Sequence, residues 1–219
     1  MTTYGKDTQT CANCGAAVEC TVLNSTNSFG SPDLDLRPAE MQRSTMHCWL
    51  QQCPECGYIA GDLADSIEGA GDIVGSDAYQ DVLKNPDLPE LARMFEGFSK
   101  LQHADPESSA MALIRAAWVC DDASHLSQAK TYRNQAAELL LPLQPVADDE
   151  NNTTLAAILV DVLRRAERFH ESKELATSLL PYQTVKANEI LSSVLVYQCG
   201  LCDGRDTHCH TVADSNSAG

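Results

Sequence analysis

"CANCG" at residues 11–15 and "CPECGY" at residues 53–58 share one form, Cys-x-x-Cys-Gly. Two residues between cysteines let a tight turn aim both sulfurs at one point, while the following backbone N–H groups bond to the thiolates. The glycine supplies the positive φ that such a turn needs. Two knuckles of this kind bring four thiolates together, and the pairing predicts a closed tetrahedral Zn2+ site built from Cys11, Cys14, Cys53 and Cys56. Such a site has no open position for a substrate, so its expected role is structural. The competing reading of "CPEC" is thioredoxin-like redox chemistry, which needs one CxxC at a helix N-terminus in a βαβ setting; no such pattern surrounds it.

Thirty-eight residues separate Cys14 from Cys53, more than a minimal ribbon requires, so the spacing implies an insert. Val18, Cys20 and Val22 alternate with Glu19 and Thr21, and Met46, Cys48 and Leu50 alternate with His47, Trp49 and Gln51. Both stretches read as strands, and together as a hairpin with Cys20 facing Cys48 in its core. A second metal site is the competing use of those two thiols. Between them runs "NSFGSPDLDLRPAEMQR", a Pro/Gly-punctuated loop. Its Asp33, Asp35 and Arg37 are expected to order the loop; contact of Arg37 and Arg43 with a partner or an anion is the alternative.

Beyond residue 62 the pattern changes. Residues 63–104 read as an acidic connector with one or two short helices; across 61–106 there are ten acids against three bases. "GAGDIVG" (69–75) is one residue too long for the dinucleotide fingerprint, no strand precedes it, and the chain holds no G-x-x-x-x-G-K-[ST]. From 105 to 219 helices follow in series. Asp105-Pro106-Glu107 is an N-cap, a proline at N1 and an acid in the first turn. The first helix carries Ala110, Leu113, Ile114, Ala117 and Trp118 on one stripe, with Cys120 at its end. A second carries Ala129, Tyr132, Ala136, Leu139 and Leu140, and "LPLQPVADDENNTT" stops it. The third, from about Thr153, has the cleanest period: Leu155, Ile158, Leu159, Val162, Leu163, Ala166. A fourth holds Leu175, Ala176 and Leu179 and closes at Pro181; a fifth runs from about Thr184 through Gln198. The fold class expected is α+β: a small N-terminal β zinc ribbon over 1–62, then an all-α array of helix hairpins of tetratricopeptide-like kind.

The two knuckles, the insert "SPDLDLRP", and the helical phrases "LIRAAWVC" and "LVDVLRRAERFHESKEL" together resemble a group of bacterial proteins that join an N-terminal zinc ribbon to tetratricopeptide-like helices. The resemblance covers most of the chain, and its specific motif residues are the four ribbon cysteines. It implies the fold and carries no activity with it.

The formal charge is −16, from 15 basic and 31 acidic residues. That charge repels nucleic acid and anionic membranes and points to a basic or neutral partner. Lys6, Arg37 and Arg43 are the only Lys or Arg residues of 1–62, too few for a nucleic-acid ribbon, the least favoured reading. The start "MTTYGKDTQTC" has no apolar signal core, and no apolar run is long enough to span a membrane. Ten cysteines in such a chain fit a reducing cytoplasm, as ligands or buried thiols.

Two candidate sites remain. "HESKE" (170–174) begins like the zinc-protease H-E-x-x-H but ends in Glu174, which loses the second histidine. With Arg164, Arg165, Arg168 and Lys173 it reads as a charged, solvated helix corner, or as a basic patch for an acidic partner. The tail "YQCGLCDGRDTHCH" (197–210) offers Cys199, Cys202, His208, Cys209 and His210 as a possible second metal set. Leu191, Leu195, Cys199 and Cys202 also fall on one helical stripe that Gly204 would end, which makes the two cysteines packing residues instead. The function expected is a zinc-stabilised interaction or adapter protein whose helices bind a protein or peptide. An enzyme or second-metal protein using the tail is the alternative.

Overall fold

The structure is a computed structural model, and it describes residues 1–143 and 150–216. Residues 144–149, within the stretch read as a helix stop, lie outside the described residues. The chain forms two compact units, one of residues 1–29 and 40–129, the other of 30–39 and 130–219. These divisions differ from the changes in composition at 62 and 104: residues 30–39 of the insert between the knuckles belong to the second unit.

The first unit opens with two small antiparallel hairpins. β1 (Thr3–Thr10) pairs with β2 (Ala17–Ser25), and β3 (Gln51–Gln52) pairs with β4 (Ile59–Ala60). Each knuckle is the turn of its own hairpin. This corrects the expected pairing of 18–22 with 46–50: β2 is a strand, but its partner is β1. Residues Arg43–Cys48 form a 3-10 helix. Thr45, buried there, donates its hydroxyl proton to the Gln42 carbonyl at 2.7 Å and accepts from Trp49 Nε1 at 2.9 Å. A side chain that bonds its own backbone three residues back favours a turn over a ladder. Cys20 and Cys48 are both buried, as expected of small core residues.

Behind the hairpins come α1 (Ala70–Val74), α2 (Asp77–Lys84), α3 (Glu90–Leu101) and α4 (Pro106–Asp122). Asp105 caps α4 through the Ser108 N–H, with Pro106 at the first turn, as the sequence indicates. α3 packs closely on α4, where Ser99 and Ser109 share a buried hydroxyl contact of 2.8 Å. Gly97 on α3 is required by close approach: a Cβ there would stand 3.0 Å from Ile59 Cδ1 and 3.4 Å from the Tyr79 ring. Ile59, Tyr79 and Phe95 are fully buried around it, so α2 and α3 form the floor under the second hairpin.

The unit boundary falls inside α5 (Leu126–Leu140). The second unit continues with α6 (Glu150–Arg165), α7 (Phe169–Leu179), α8 (Gln183–Ala187), α9 (Glu189–Asp203) and α10 (Val212–Asn216). α6 is central: every residue from 156 to 166 is buried, charged ones included, and α7 and α9 pack against it. Ser172 allows the close approach of α7, being fully buried and donating to the Val160 carbonyl at 2.7 Å. The expected single fifth helix is two. Asn188 is extended (φ −114°, ψ 96°), and its side chain accepts from Leu191 N, so it caps α9 and breaks the run. Gly204 ends α9 where expected. Among the described residues no helix is long and apolar enough to cross a membrane.

Candidate metal centre

The two knuckles have the same backbone. In the first, Cys11 N donates to Ala16 O at 2.8 Å and Gly15 N to Cys11 O at 2.8 Å. In the second, Cys53 N donates to Tyr58 O at 2.8 Å and Gly57 N to Cys53 O at 2.9 Å. Gly15 has φ +77° and Gly57 φ +81°, the left-handed conformation that closes the turn. The first knuckle and its strand are tied to the segment that follows β4, by Ala12 N to Leu63 O at 2.8 Å and by Leu63 N to the Gln9 side-chain oxygen at 2.9 Å. The second is also anchored from below, where the Tyr79 hydroxyl donates to the Gly57 carbonyl at 2.8 Å.

This frame brings Cys11, Cys14, Cys53 and Cys56 together with all four sulfurs within 4.8 Å of one another. Cys11 Sγ lies 3.8 Å from Cys56 Sγ, and Cys14 Sγ lies 3.6 Å from Cys53 Sγ. Metal–sulfur bonds of about 2.3 Å in a tetrahedron place the sulfurs about 3.8 Å apart. The four cysteines are therefore close enough to bind a metal ion, and the donor set and spacing are consistent with zinc. Cys11 and Cys53 are buried, Cys56 is half-buried and Cys14 exposed, so the cluster sits at the surface with two sulfurs inward.

Electrostatics make the same demand. The Ala16 N–H draws the Cys14 thiol down, yet burial and the three neighbouring sulfurs together push it up to about 12. Burial pushes Cys53 up as well. Cys56 is drawn below the usual thiol range despite burial, by the Asn13 side chain, the Tyr58 N–H and bonds from Cys14 and Cys53. Four sulfurs this close cannot all ionise without a cation among them; a divalent metal removes that penalty and takes all four as thiolates.

Among the described residues no other group of three or more cysteine, histidine or carboxylate ligands converges in this way. The five tail residues are turned to separate tasks. Cys202 is buried and donates to Ser172 Oγ at 3.3 Å, while Cys199, half-buried, contacts Thr177 Oγ1 at 3.9 Å. His208 Nδ1 lies 2.9 Å from Asp206 Oδ1, and His210 Nε2 lies 3.1 Å from Asp206 Oδ2. His210 Nδ1 meets the Tyr197 hydroxyl at 3.0 Å, and the Cys209 thiol bonds Asp33. Asp206, which the sequence reading did not single out, holds both imidazoles. Burial raises its carboxyl, but the His208 N–H and the two rings bring it down to about 2.

The charged corner at 164–173 is also corrected. Arg164 and Arg165 are buried, not solvated. Arg164 Nη2 pairs with Asp161 at 2.5 Å, and its Nη1 donates to the carbonyls of Asp206 at 2.7 Å and His208 at 3.0 Å. Its Nε donates to the Gln198 side chain at 3.2 Å. Arg165 pairs with Asp35 at 3.3 Å. Arg168 pairs with Glu171 and Glu138, and Lys173 with Asp203. The basic run is thus neutralised where it stands. His170 and Glu174 do form an exposed pair, at 3.2 Å. Asp33, Asp35 and Arg37 are buried and order the insert, with Asp33 N bonded to Arg37 O and Leu36 N to Asp33 O, both at 2.9 Å. Cys120 is fully buried.

The chain matches no family model, no curated protein and no solved structure.

Proposed function

We propose that the chain is a zinc-stabilised interaction protein. One Zn2+ is held by Cys11, Cys14, Cys53 and Cys56, and the helices behind it, hairpins of tetratricopeptide-like kind, present a surface to a protein or peptide partner of basic or neutral character. The observation that carries this reading is the closed four-thiol cluster: every coordination position of a tetrahedral ion is taken by protein, so the metal builds rather than reacts. The buried serine between α6 and α7 and the packing of α7 on both α6 and α9 support successive helix hairpins. The charge of −16 supports a partner that is not acidic.

Metal analysis of the purified chain tests the first half, with one zinc per chain expected and none in a Cys11→Ser, Cys53→Ser variant. No zinc in the unaltered chain overturns the reading, and two would return Cys199, Cys202, His208, Cys209 and His210 to metal binding. The second half is tested by affinity capture at native expression. A partner whose binding is lost on substitution of exposed residues of the second unit supports it. Turnover of a substrate by the purified chain with no partner recovered would replace it with an enzyme.

A further inference from the structure

Within the second unit, Leu34 and Leu36 of the insert, with Ile158 of α6 and Ile190, Leu191 and Val194 of α9, line a half-open apolar chamber of about 180 Å³. Thr154 and Asn188 are its polar lining. Those two residues, with Ile190 and Leu191, also line a wider cleft of about 670 Å³, whose wall includes Thr184 and Glu189. An apolar chamber joined to a polar vestibule is the usual form of a small-molecule site.

Two further observations point to an occupant. Leu36 and Ile190 line the chamber and are nonetheless 43% and 56% exposed. Leu36 also has φ +61°, a conformation disfavoured for any residue with a side chain. The buried Asp35–Arg165 ion pair and the Asp33 turn hold it there. Residues held in such sparsely populated conformations cluster at active sites, ligand clamps and switch regions. Among the described residues, those lining the two spaces include one acid, Glu189, and no lysine, arginine or histidine.

We propose that this cleft binds a small amphiphile carrying an amine or hydroxyl head. A void near 150 Å³ lined by aliphatic groups accepts benzene, so the chamber takes an apolar group of about six to eight carbons. The head lies in the vestibule among Thr184, Asn188 and Glu189. A carboxylate head is disfavoured because it would meet Glu189, with no cation among the described lining residues to offset the repulsion.

The test titrates hexylamine, hexanol and hexanoate into the full purified chain, following backbone amide shifts of Leu36, Ile190 and Leu191. Saturable shifts are expected with hexylamine, and hexanoate should bind at least tenfold more weakly. Leu36→Gly relieves the backbone strain while removing a wall, so it should keep or raise Tm and weaken hexylamine at least fivefold. Ala157 of α6 also lines the chamber, and Ala157→Leu, which fills it, should abolish the shifts; if that variant fails to fold, Leu36→Gly still decides. Equal binding of hexylamine and hexanoate, shifts that do not saturate, or undiminished binding by Leu36→Gly would each overturn the proposal. None of these outcomes depends on the zinc or on a protein partner.

Discussion

Arg164 shows how much a single side chain can hold. Its guanidinium is fully buried and is used for the Asp161 carboxylate, one amide oxygen and two backbone carbonyls of the tail, with the Asp206 carboxylate 4.0 Å away. Burial pushes the Asp161 carboxyl up while the neighbouring guanidinium draws it down. Removing the arginine leaves an uncompensated buried acid and two unmet carbonyls, a loss of about 3–5 kcal/mol. Arg164→Met should therefore lower the urea midpoint severely. Arg164→Met combined with Asp161→Leu should recover a good part of that, because no lone charge remains. The sign of the pH effect follows from Asp161. In Arg164→Met its folded-state pKa rises further above the unfolded value, so the folded chain binds the proton more tightly. The deficit should shrink as pH falls through that raised value and stand in full above it. Denaturation curves across pH check this; a deficit independent of pH, or a double variant no better than the single one, would mean the network contributes little.

At the scale of the element, the two knuckles are a matched pair with different surroundings. Gly15 and Gly57 share a left-handed φ, but a Cβ on Gly15 meets nothing within 4 Å, whereas one on Gly57 would stand 3.0 Å from Leu83 Cδ1 of α2. Gly15→Ala should cost only the backbone term, about 1–2 kcal/mol. Gly57→Ala adds a collision in a packed floor, about 1–3 kcal/mol more. Thermal melts of the two variants, with zinc content measured beside them, should rank them in that order. Equal losses would mean α2 yields freely. The knuckles were legible in the sequence because their chemistry is local: four cysteines, two glycines and a fixed spacing. The cap at Asp105 and the end of α9 at Gly204 were legible for the same reason. The strand β1 was not. "TYGKDTQT" has almost no apolar alternation, since seven of its eight positions stay at least partly exposed, so its pairing depends on β2 and the knuckle between them. Met46, Cys48 and Leu50 misled in the opposite way: their alternation is real, but Thr45, next to Met46, is buried as well, and a 3-10 turn meets that pattern better than a strand. Arg164 and Arg165 read as surface because, apart from Asp161 one turn back on the same helix, their partners at 35, 198, 206 and 208 come together only in the folded chain.

At the scale of the whole molecule, the sequence order of the two units is interleaved. The ten residues 30–39 lie between the knuckles in sequence yet join the tail of the second unit. Asp33 bridges Thr211, Leu34 N donates to His210 O, and Val212 N donates to Pro32 O, each bond being 2.9 Å. Within the first unit the two residues that flank this segment lie side by side, with Phe29 N donating to Glu40 O at 3.3 Å in an antiparallel bridge. Ends already paired can be closed by a two-residue hairpin turn, and shortening such a loop changes its closure entropy little. A chain of residues 1–129 with Asn-Gly in place of 30–39 should therefore still bind one zinc and unfold in a single sharp transition. The same replacement in the full chain has the opposite consequence for the second unit. It takes Asp35 from the buried Arg165, the strand partner from the tail, and Leu34 from the core. The charge alone costs about 3–5 kcal/mol, a large share of what holds a domain of this size together. Circular dichroism melts with metal analysis separate the cases: zinc retained in both chains, with the helical signal of the second unit lost at lower temperature only where that unit is present without its segment. A 1–129 chain that binds no zinc would show that the segment belongs to the ribbon, and a full-length replacement that melts unchanged would show that the second unit does not depend on it.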